Sequence, residues 1–86
     1  MAILEDISLN ADEYTEVYAA SGATPAQALN IQNKTGSHVY VQYSSGKPTG
    51  TDDNGFILRD LEVWSVPTGN DSVWLRGNGK VAVEAL

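Results

Sequence analysis

His38 is the only histidine in the sequence, and cysteine is absent. Acyl transfer by a serine nucleophile needs a histidine beside the serine to accept its proton, and no Gly-x-Ser-x-Gly turn that exposes such a serine occurs. The segment Gly46-Lys47-Pro48 ends like a phosphate-binding loop, but proline stands where a magnesium-binding serine or threonine is required. We therefore predict that the chain has no catalytic residues and is not an enzyme.

The acidic run Asp52-Asp53-Asn54-Gly55 places three oxygen-bearing side chains beside a glycine. Calcium prefers such ligands, but the later glutamate of a calcium loop is missing. An ordinary polar turn is the interpretation that we favour. We predict no metal ion and no other cofactor, and leave open whether the 45–55 loop binds a ligand or ion.

The charge balance limits the classes of partner. Five basic and eleven acidic residues give a formal net charge of −6, which repels a polyanion. No run of about 18 apolar residues, as a membrane-spanning helix requires, is present. We predict that neither nucleic acid nor a membrane is a partner.

The chain length limits the number of domains. A chain of 86 residues can support one core, because a domain this small hides only about 60% of the surface of its unfolded chain. Disulfides and a zinc cluster are unavailable as further stabilisation, so we expect a homo-oligomer. We assign residues 1–12 to an N-terminal arm or edge strand and residues 13–86 to a single β domain.

Alternation of apolar and polar residues predicts strands along most of the chain. In the segment 37–44, for example, Val39, Val41 and Tyr43 fall on one face of a strand and Tyr40 on the other. Eight glycines and the lack of a long three-to-four apolar repeat argue against long helices. The predicted strands are residues 13–19, 27–32, 37–44, 56–58, 61–66, 72–76 and 80–85.

Short turn-forming segments between these strands predict antiparallel hairpins. A five-residue loop over 67–71 would place Val63 opposite Leu75 and Trp64 opposite Trp74. A three-residue loop over 77–79 would place Leu75 opposite Val81; a two-residue Asn78-Gly79 turn is the alternative register. A third tight turn is predicted over 33–36.

The predicted fold is all-β, a small antiparallel β-sandwich or barrel of six to seven short strands with an N-terminal arm. The apolar set changes from even to odd positions across Arg59-Asp60, which predicts a bulge or a corner between two sheets. The predicted core is Val17, Leu29, Ile31, Val39, Val41, Leu58, Leu61, Val63, Val73, Leu75, Val81 and Val83.

Two groups of residues are candidates for a partner interface. In the predicted registers the rings of Tyr40, Trp64 and Trp74 face away from the aliphatic set, and aromatic side chains are enriched in interfaces. The alternatives are that the two tryptophans form the core and the valines lie outside, or that loop residues cover the patch. The other group comprises the apolar residues of the arm: Ile3, Leu4 and Ile7.

The segments 28–36 and 72–85 resemble short structural proteins of tailed bacteriophages. The first reads Ala-Leu-Asn-Ile-Gln-Asn-Lys-Thr-Gly before a Val-Tyr-Val strand, and the second reads Ser-Val-Trp-Leu-Arg-Gly-Asn-Gly-Lys-Val-Ala-Val-Glu-Ala. The resemblance implies a capsid decoration or head-fibre component of the virion, made in the host cytoplasm. It also implies the major capsid protein or another virion protein as partner and a homo-oligomer, with a trimer favoured. A tail, baseplate or fibre adaptor and a carbohydrate-binding module are the alternatives.

Overall fold

The computed structural model describes residues 2–70 and 72–86. Met1, in the predicted arm, and Asp71, in the predicted 67–71 turn, lie outside the described residues. The elements in chain order are β1 (Ala2–Ile3), β2 (Ile7–Leu9), β3 (Thr15–Glu16), α1 (Val17–Ser21), β4 (Leu29–Asn33), β5 (Val39–Tyr43), β6 (Phe56–Leu58), β7 (Val63–Val66), β8 (Val73–Arg76) and β9 (Gly79–Ala85).

The longer strands follow the period-two pattern of their sequences. In β4, Leu29, Ile31 and Asn33 are buried and the residues between them are half-buried. In β9, Val81 and Val83 are buried in the same alternating way. Successive side chains of a strand point to opposite faces, so each of these strands turns its apolar set toward one core.

Two antiparallel sheets pack around that core, as predicted for a small all-β sandwich. The first sheet has the order β1-β9-β4-β7, with β2 also paired to β9, and the second has the order β3-β8-β5-β6. β6 and β7 are therefore edge strands. The β6–β7 turn confirms the predicted corner at Arg59-Asp60, because it carries the chain from the second sheet to the first.

The three predicted hairpins are wrong, because each of their turns connects strands of different sheets. β7 pairs with β4, so Trp64 lies opposite Ile31 rather than Trp74. β8 pairs with β3 and β5, so Leu75 lies beside Val41 and not beside Val63 or Val81. Alternation fixes which face of a strand is buried but leaves its neighbour undetermined, because strands packed face to face and strands paired side by side show the same pattern.

The predicted core is confirmed except at two positions. Leu61 and Val63 are 64% and 57% exposed, and Val66 is buried instead. No change of face occurs at the corner, since even-numbered Trp64 and Val66 turn inward after even-numbered Leu58. The buried apolar residues are Ile7, Tyr14, Val17, Tyr18, Ala23, Leu29, Ile31, Val39, Val41, Leu58, Val66, Val73, Leu75, Val81, Val83 and Ala85.

Residues 17–21 form a short helix where the sequence predicted a strand. The Glu16 carboxylate accepts hydrogen bonds from the backbone N–H groups of Tyr18 and Ala19, at 3.1 and 2.9 Å. Gly22, with φ 79°, ends the helix in the left-handed conformation. Local capping therefore overrides the alternating pattern. Among the described residues, no helix has the length and apolarity needed to cross a bilayer.

The N-terminal segment pairs along the edge of the first sheet. β1 and β2 lie one after the other against β9, with Ile3 opposite Glu84 and Ile7 opposite Val81. Ile7 is buried, Leu4 packs partly against the core and Ile3 is 75% exposed. Of the two possibilities for this segment, the edge strand is the one observed.

Candidate binding surfaces

His38 lies at the surface, where its ring contacts the edge of the Tyr40 ring at a centroid distance of 5.2 Å. It borders a shallow, mainly polar depression together with Arg59, Asp60 and Glu62. The two carboxylates already accept backbone hydrogen bonds, Asp60 from Gly36 at 2.9 Å and Glu62 from Arg59 at 2.7 Å. This arrangement fixes the turns around β6.

The acidic run is part of a loop that folds over the outer face of the second sheet. Asp52 Oδ1 accepts a hydrogen bond from the backbone N–H of Asn54 at 2.9 Å, which lowers the pKa of the Asp52 carboxyl. Asp53 forms an ion pair with Arg76. Within residues 2–70 and 72–86, no three side chains of the metal-binding types come together. The structure thus gives both carboxylates partners within the protein.

Arg76 anchors this loop from below. Its side chain is 8% exposed and donates to the backbone oxygens of Gly50 and Asp52 as well as to Asp53. Its guanidinium carbon lies 5.2 Å from the centre of the Tyr14 ring and 4.5 Å from that of Tyr40. A buried cation is stable only when its donors are satisfied, and the loop supplies the acceptors. Sequence analysis missed this contact because the partners lie more than 20 residues apart.

The three candidate aromatic residues do not form one patch. Tyr40 and Trp74 lie on the second sheet, half-buried beneath the loop, and Trp74 Nε1 donates to the Ser44 carbonyl at 2.8 Å. Trp64 lies on the first sheet and turns toward the core. Its ring contacts Phe56 at a centroid distance of 5.2 Å. Tyr40 and Trp74 face away from the aliphatic set as predicted, but the prediction is wrong for Trp64, since it assumed that β7 and β8 were neighbours.

Further large apolar side chains are exposed at the edges of the two sheets, around β6 and β7. We call this group the side ridge and define it by five residues: Tyr43, Phe56, Ile57, Leu61 and Val63. Ile57 points outward from the second sheet and Val63 outward from the first, so the group does not form one continuous face. Each residue of the group is 38–64% exposed, and they make up five of the seven exposed large apolar residues of the described chain. Large exposed apolar surfaces mark interaction sites. The sequence signal for the ridge was present but misread, because Leu61 and Val63 were assigned to the core.

Leu61 occupies a conformation that suits glycine. The backbone N–H of Glu62 donates to the carbonyl of Arg59 at 3.1 Å, which closes a four-residue turn. Leu61 is its third residue and has φ 67°, the geometry of a type II turn, in which glycine or asparagine is usual. A leucine here carries a backbone cost of about 1–2 kcal/mol, and its side chain is 64% exposed.

A second surface is a shallow groove on the outer face of the first sheet. We call it the sheet groove; Ile3 and Val63 form its walls, and Ala82 contributes to its floor. Its polar members are hydrogen-bonded within the protein. Asn30 donates to Glu84 at 3.1 Å and accepts from Ser65 at 2.9 Å, and Gln32 donates to the Leu61 carbonyl at 3.2 Å. The exposed apolar area of this face therefore lies at the two walls, Ile3 and Val63.

These features define a small antiparallel β-sandwich with two groups of exposed apolar residues, the side ridge and the sheet groove. No family model, no curated protein and no solved structure matches the chain.

Proposed function

We propose that this protein is a non-enzymatic structural protein of a tailed-phage virion, a capsid decoration protein that binds the major capsid shell. The resemblance of segments 28–36 and 72–85 supports the phage assignment. The structural observation that carries a binding role is the sheet groove, with Ile3 75% exposed at its wall. An apolar side chain in that position gains from burial by a partner.

The sheet groove suits an apolar segment of the shell. Small Ala82 in its floor leaves room between Ile3 and Val63 for an inserted side chain. Hydrogen bonds within the polar row of Asn30, Ser65 and Glu84 replace some of the bonds to water that a covering partner would remove. β1, β9, β4 and β7 hold the groove on four paired strands, which preorganises it for binding.

The test is binding to phage particles from which the protein has been removed. Ile3→Asp places a charge on the groove wall, and Ala82→Gln fills the floor from an outward-facing position. We expect both to weaken particle binding at least tenfold while the circular dichroism spectrum is unchanged. Ser8→Asp is the matched control, because Ser8 is the exposed residue of β2 and lies outside the groove. Undiminished binding by both groove variants would contradict the proposal.

A tail, baseplate or fibre adaptor would use the same kind of surface at another position on the particle. Antibody labelling of intact particles distinguishes the two, because label on the head supports decoration and label on the tail supports the adaptor.

A carbohydrate-binding module is the second candidate, on the observation that Phe56 is 55% exposed beside Trp64 and Tyr43. Aromatic rings offer apolar faces against which a ligand can stack. Glycan-array binding by the whole protein that Phe56→Ala abolishes would favour this candidate over decoration.

A further inference from the structure

We propose that the sheet groove binds a protein segment carrying one basic side chain, a lysine or an arginine, that pairs with the Glu84 carboxylate. This inference rests on the binding role of the groove proposed above and adds the chemistry of the partner. Glu84 is the one charged residue among the described residues that line the groove. The partner must therefore match a single negative charge set among apolar and neutral polar groups.

Glu84 has one neutral hydrogen-bond donor and no cation beside it. It is half-buried on the outer face of β9, between Ile3 of β1 and Asn30 of β4. Its Oε1 atom accepts a 3.1 Å hydrogen bond from the Asn30 amide. The three ion pairs within the described part of the chain all involve other carboxylates. The protein thus leaves the negative charge of Glu84 to be balanced from outside.

Filling the groove removes water from this carboxylate as well as from the apolar walls. An ionised carboxylate taken out of water is costly unless it is paired with a cation. An apolar or acidic segment would leave the charge uncompensated, and the loss would oppose the gain from burying Ile3 and Val63. A lysine or arginine compensates it through a charge-assisted hydrogen bond. Electrostatic complementarity therefore selects a segment with a basic side chain.

The strand geometry determines where that basic side chain must lie. Ala82, in the floor of the groove, and Glu84 are alternate residues of β9, so about 7 Å separates them along the strand. Any extended segment repeats the side chains of one face at the same interval. A segment with an apolar residue and a basic residue two positions apart therefore matches both positions.

The size of the groove and the charge of the whole chain also favour such a segment. The groove has a volume of about 230 Å³, below the roughly 300–1,000 Å³ of ordinary small-molecule sites. Side chains of a protein segment fit this volume better than a separate ligand does. The net charge of −6 attracts a basic surface and speeds its association.

Binding to phage particles from which the protein has been removed is the first test. Glu84→Gln removes the charge but keeps an oxygen that accepts from Asn30. We expect it to bind at least tenfold more weakly, with an unchanged circular dichroism spectrum. Asp12→Asn is the matched control, because Asp12 is exposed, lies outside the groove and loses the same charge. Equal weakening by both variants would assign the effect to net charge and overturn the inference.

The groove variants described above distinguish the two ways of failing. Weaker binding by Ile3→Asp together with undiminished binding by Glu84→Gln would show that the groove holds an uncharged segment. That result would overturn the basic partner and leave the proposed function intact. Undiminished binding by Ile3→Asp and Ala82→Gln would contradict the proposed function itself.

A peptide titration tests the same pairing without a particle. The probes are the capped extended peptide Ser-Leu-Thr-Arg-Thr-Leu-Ser and the same peptide with glutamine in place of arginine. NMR shifts of the Ile3, Ala82 and Glu84 amides report binding. We expect the arginine peptide to bind at least threefold more tightly, and this difference to disappear in Glu84→Gln. Equal affinities of the two peptides, or no shifts with either, would overturn the inference.

A second copy of the chain is the other occupant to test, because Lys80 lies on the same face of β9 and has no ion pair among residues 2–70 and 72–86. Sedimentation equilibrium of the whole protein decides this. A monomer, or an oligomer that Lys80→Gln and Glu84→Gln both leave intact, supports an external partner. Self-association that both variants abolish would make a second copy the occupant and overturn the inference.

Discussion

Trp64 and Tyr43 connect the two sheets at the open side of the sandwich. The indole Nε1 of Trp64, on the first sheet, donates a 2.7 Å hydrogen bond to the hydroxyl of Tyr43, on the second. The rings lie 6.5 Å apart between centroids. This contact closes the core at the edge where β6 and β7 expose their apolar side chains.

Replacing Trp64 should therefore destabilise the fold. Trp64→Ala removes the hydrogen bond and the ring packed on the core, and we expect a loss of about 2–4 kcal/mol in the free energy of unfolding. Trp64→Phe retains most of the ring and should cost about 1 kcal/mol. Urea unfolding followed by far-ultraviolet circular dichroism measures both. Equal stability of wild type and Trp64→Ala would show that this edge does not close the core.

Arg76→Met should release the loop that covers the second sheet. The change leaves the Gly50 carbonyl and the Asp53 carboxylate without this donor, and the Asp52 carbonyl keeps only its bond from the Tyr14 hydroxyl. Loss of a hydrogen-bonded charge partner of this kind costs about 1.5–3 kcal/mol. Hydrogen exchange should show faster exchange in residues 49–54, with the central strands still protected. Unchanged protection of the loop would indicate that Arg76 does not anchor it.

Gly50→Ala should displace the same loop through a steric clash. A Cβ at Gly50 would overlap the backbone carbonyl of Asp12, which cannot move without shifting the segment before β3. Gly46→Ala is the matched control, because a Cβ there meets nothing within 4 Å. We expect a melting temperature lower by several degrees for Gly50→Ala alone. Equal melting temperatures for the two variants would rule out close packing of the loop at Gly50.

The loop should loosen at both ends of the pH range. The Asn54 N–H group lowers the pKa of Asp52 below its ordinary 3.8. The Asp52 carboxylate therefore stabilises the loop above that value, and this stabilisation is lost as the pH falls through the lowered pKa. Burial raises the pKa of Tyr14 above its ordinary 10.0. The neutral Tyr14 hydroxyl therefore stabilises the loop below pH 10.0, and this stabilisation is lost as the pH rises through the raised pKa.

Amide chemical shifts of residues 50–54, followed by NMR across pH 2–12, measure this response. Gln42→Ala removes the side-chain hydrogen bonds to the Tyr14 hydroxyl and the Asn54 carbonyl and serves as the comparison. Because Gln42 also lowers the pKa of Asp52, we expect the loop of this variant to open at a higher pH on the acid side. Loop shifts that stay constant below pH 3.8 would contradict the role of Asp52.

Alanine substitutions at two isoleucines of the N-terminal segment should differ sharply in their effect on stability. Ile7→Ala opens a cavity in the core and should cost about 2–4 kcal/mol, because Ile7 is 5% exposed. Ile3→Ala should stay within about 0.5 kcal/mol of wild type, since Ile3 is 75% exposed. Thermal unfolding of both variants checks this. Removal of residues 1–12 takes away β1, β2 and the buried Ile7 and should unfold the protein, and a folded truncated chain would contradict the edge-strand assignment.

Much of the β architecture was predictable because it rests on local regularities. Leu29 and Ile31, or Val81 and Val83, are separated by two positions, and any strand places such pairs on one face. Gly22 and Glu16 show where the local signal was present and misread, since they cap a helix in a segment that alternates like a strand. The exposed residues of the side ridge could have been predicted from the sequence only if Leu61 had been assigned to the turn before β7.

What the sequence alone determined is the set of residues that turn inward along most strands, and hence a small all-β protein. What only the tertiary structure decided is which strands are neighbours, which loop covers Arg76 and which apolar residues remain outside. Val73 and Val83 lie inward whether their strands are paired or face each other across the core. The choice depends on packing between residues distant in the chain, where the geometry of the whole core selects one arrangement.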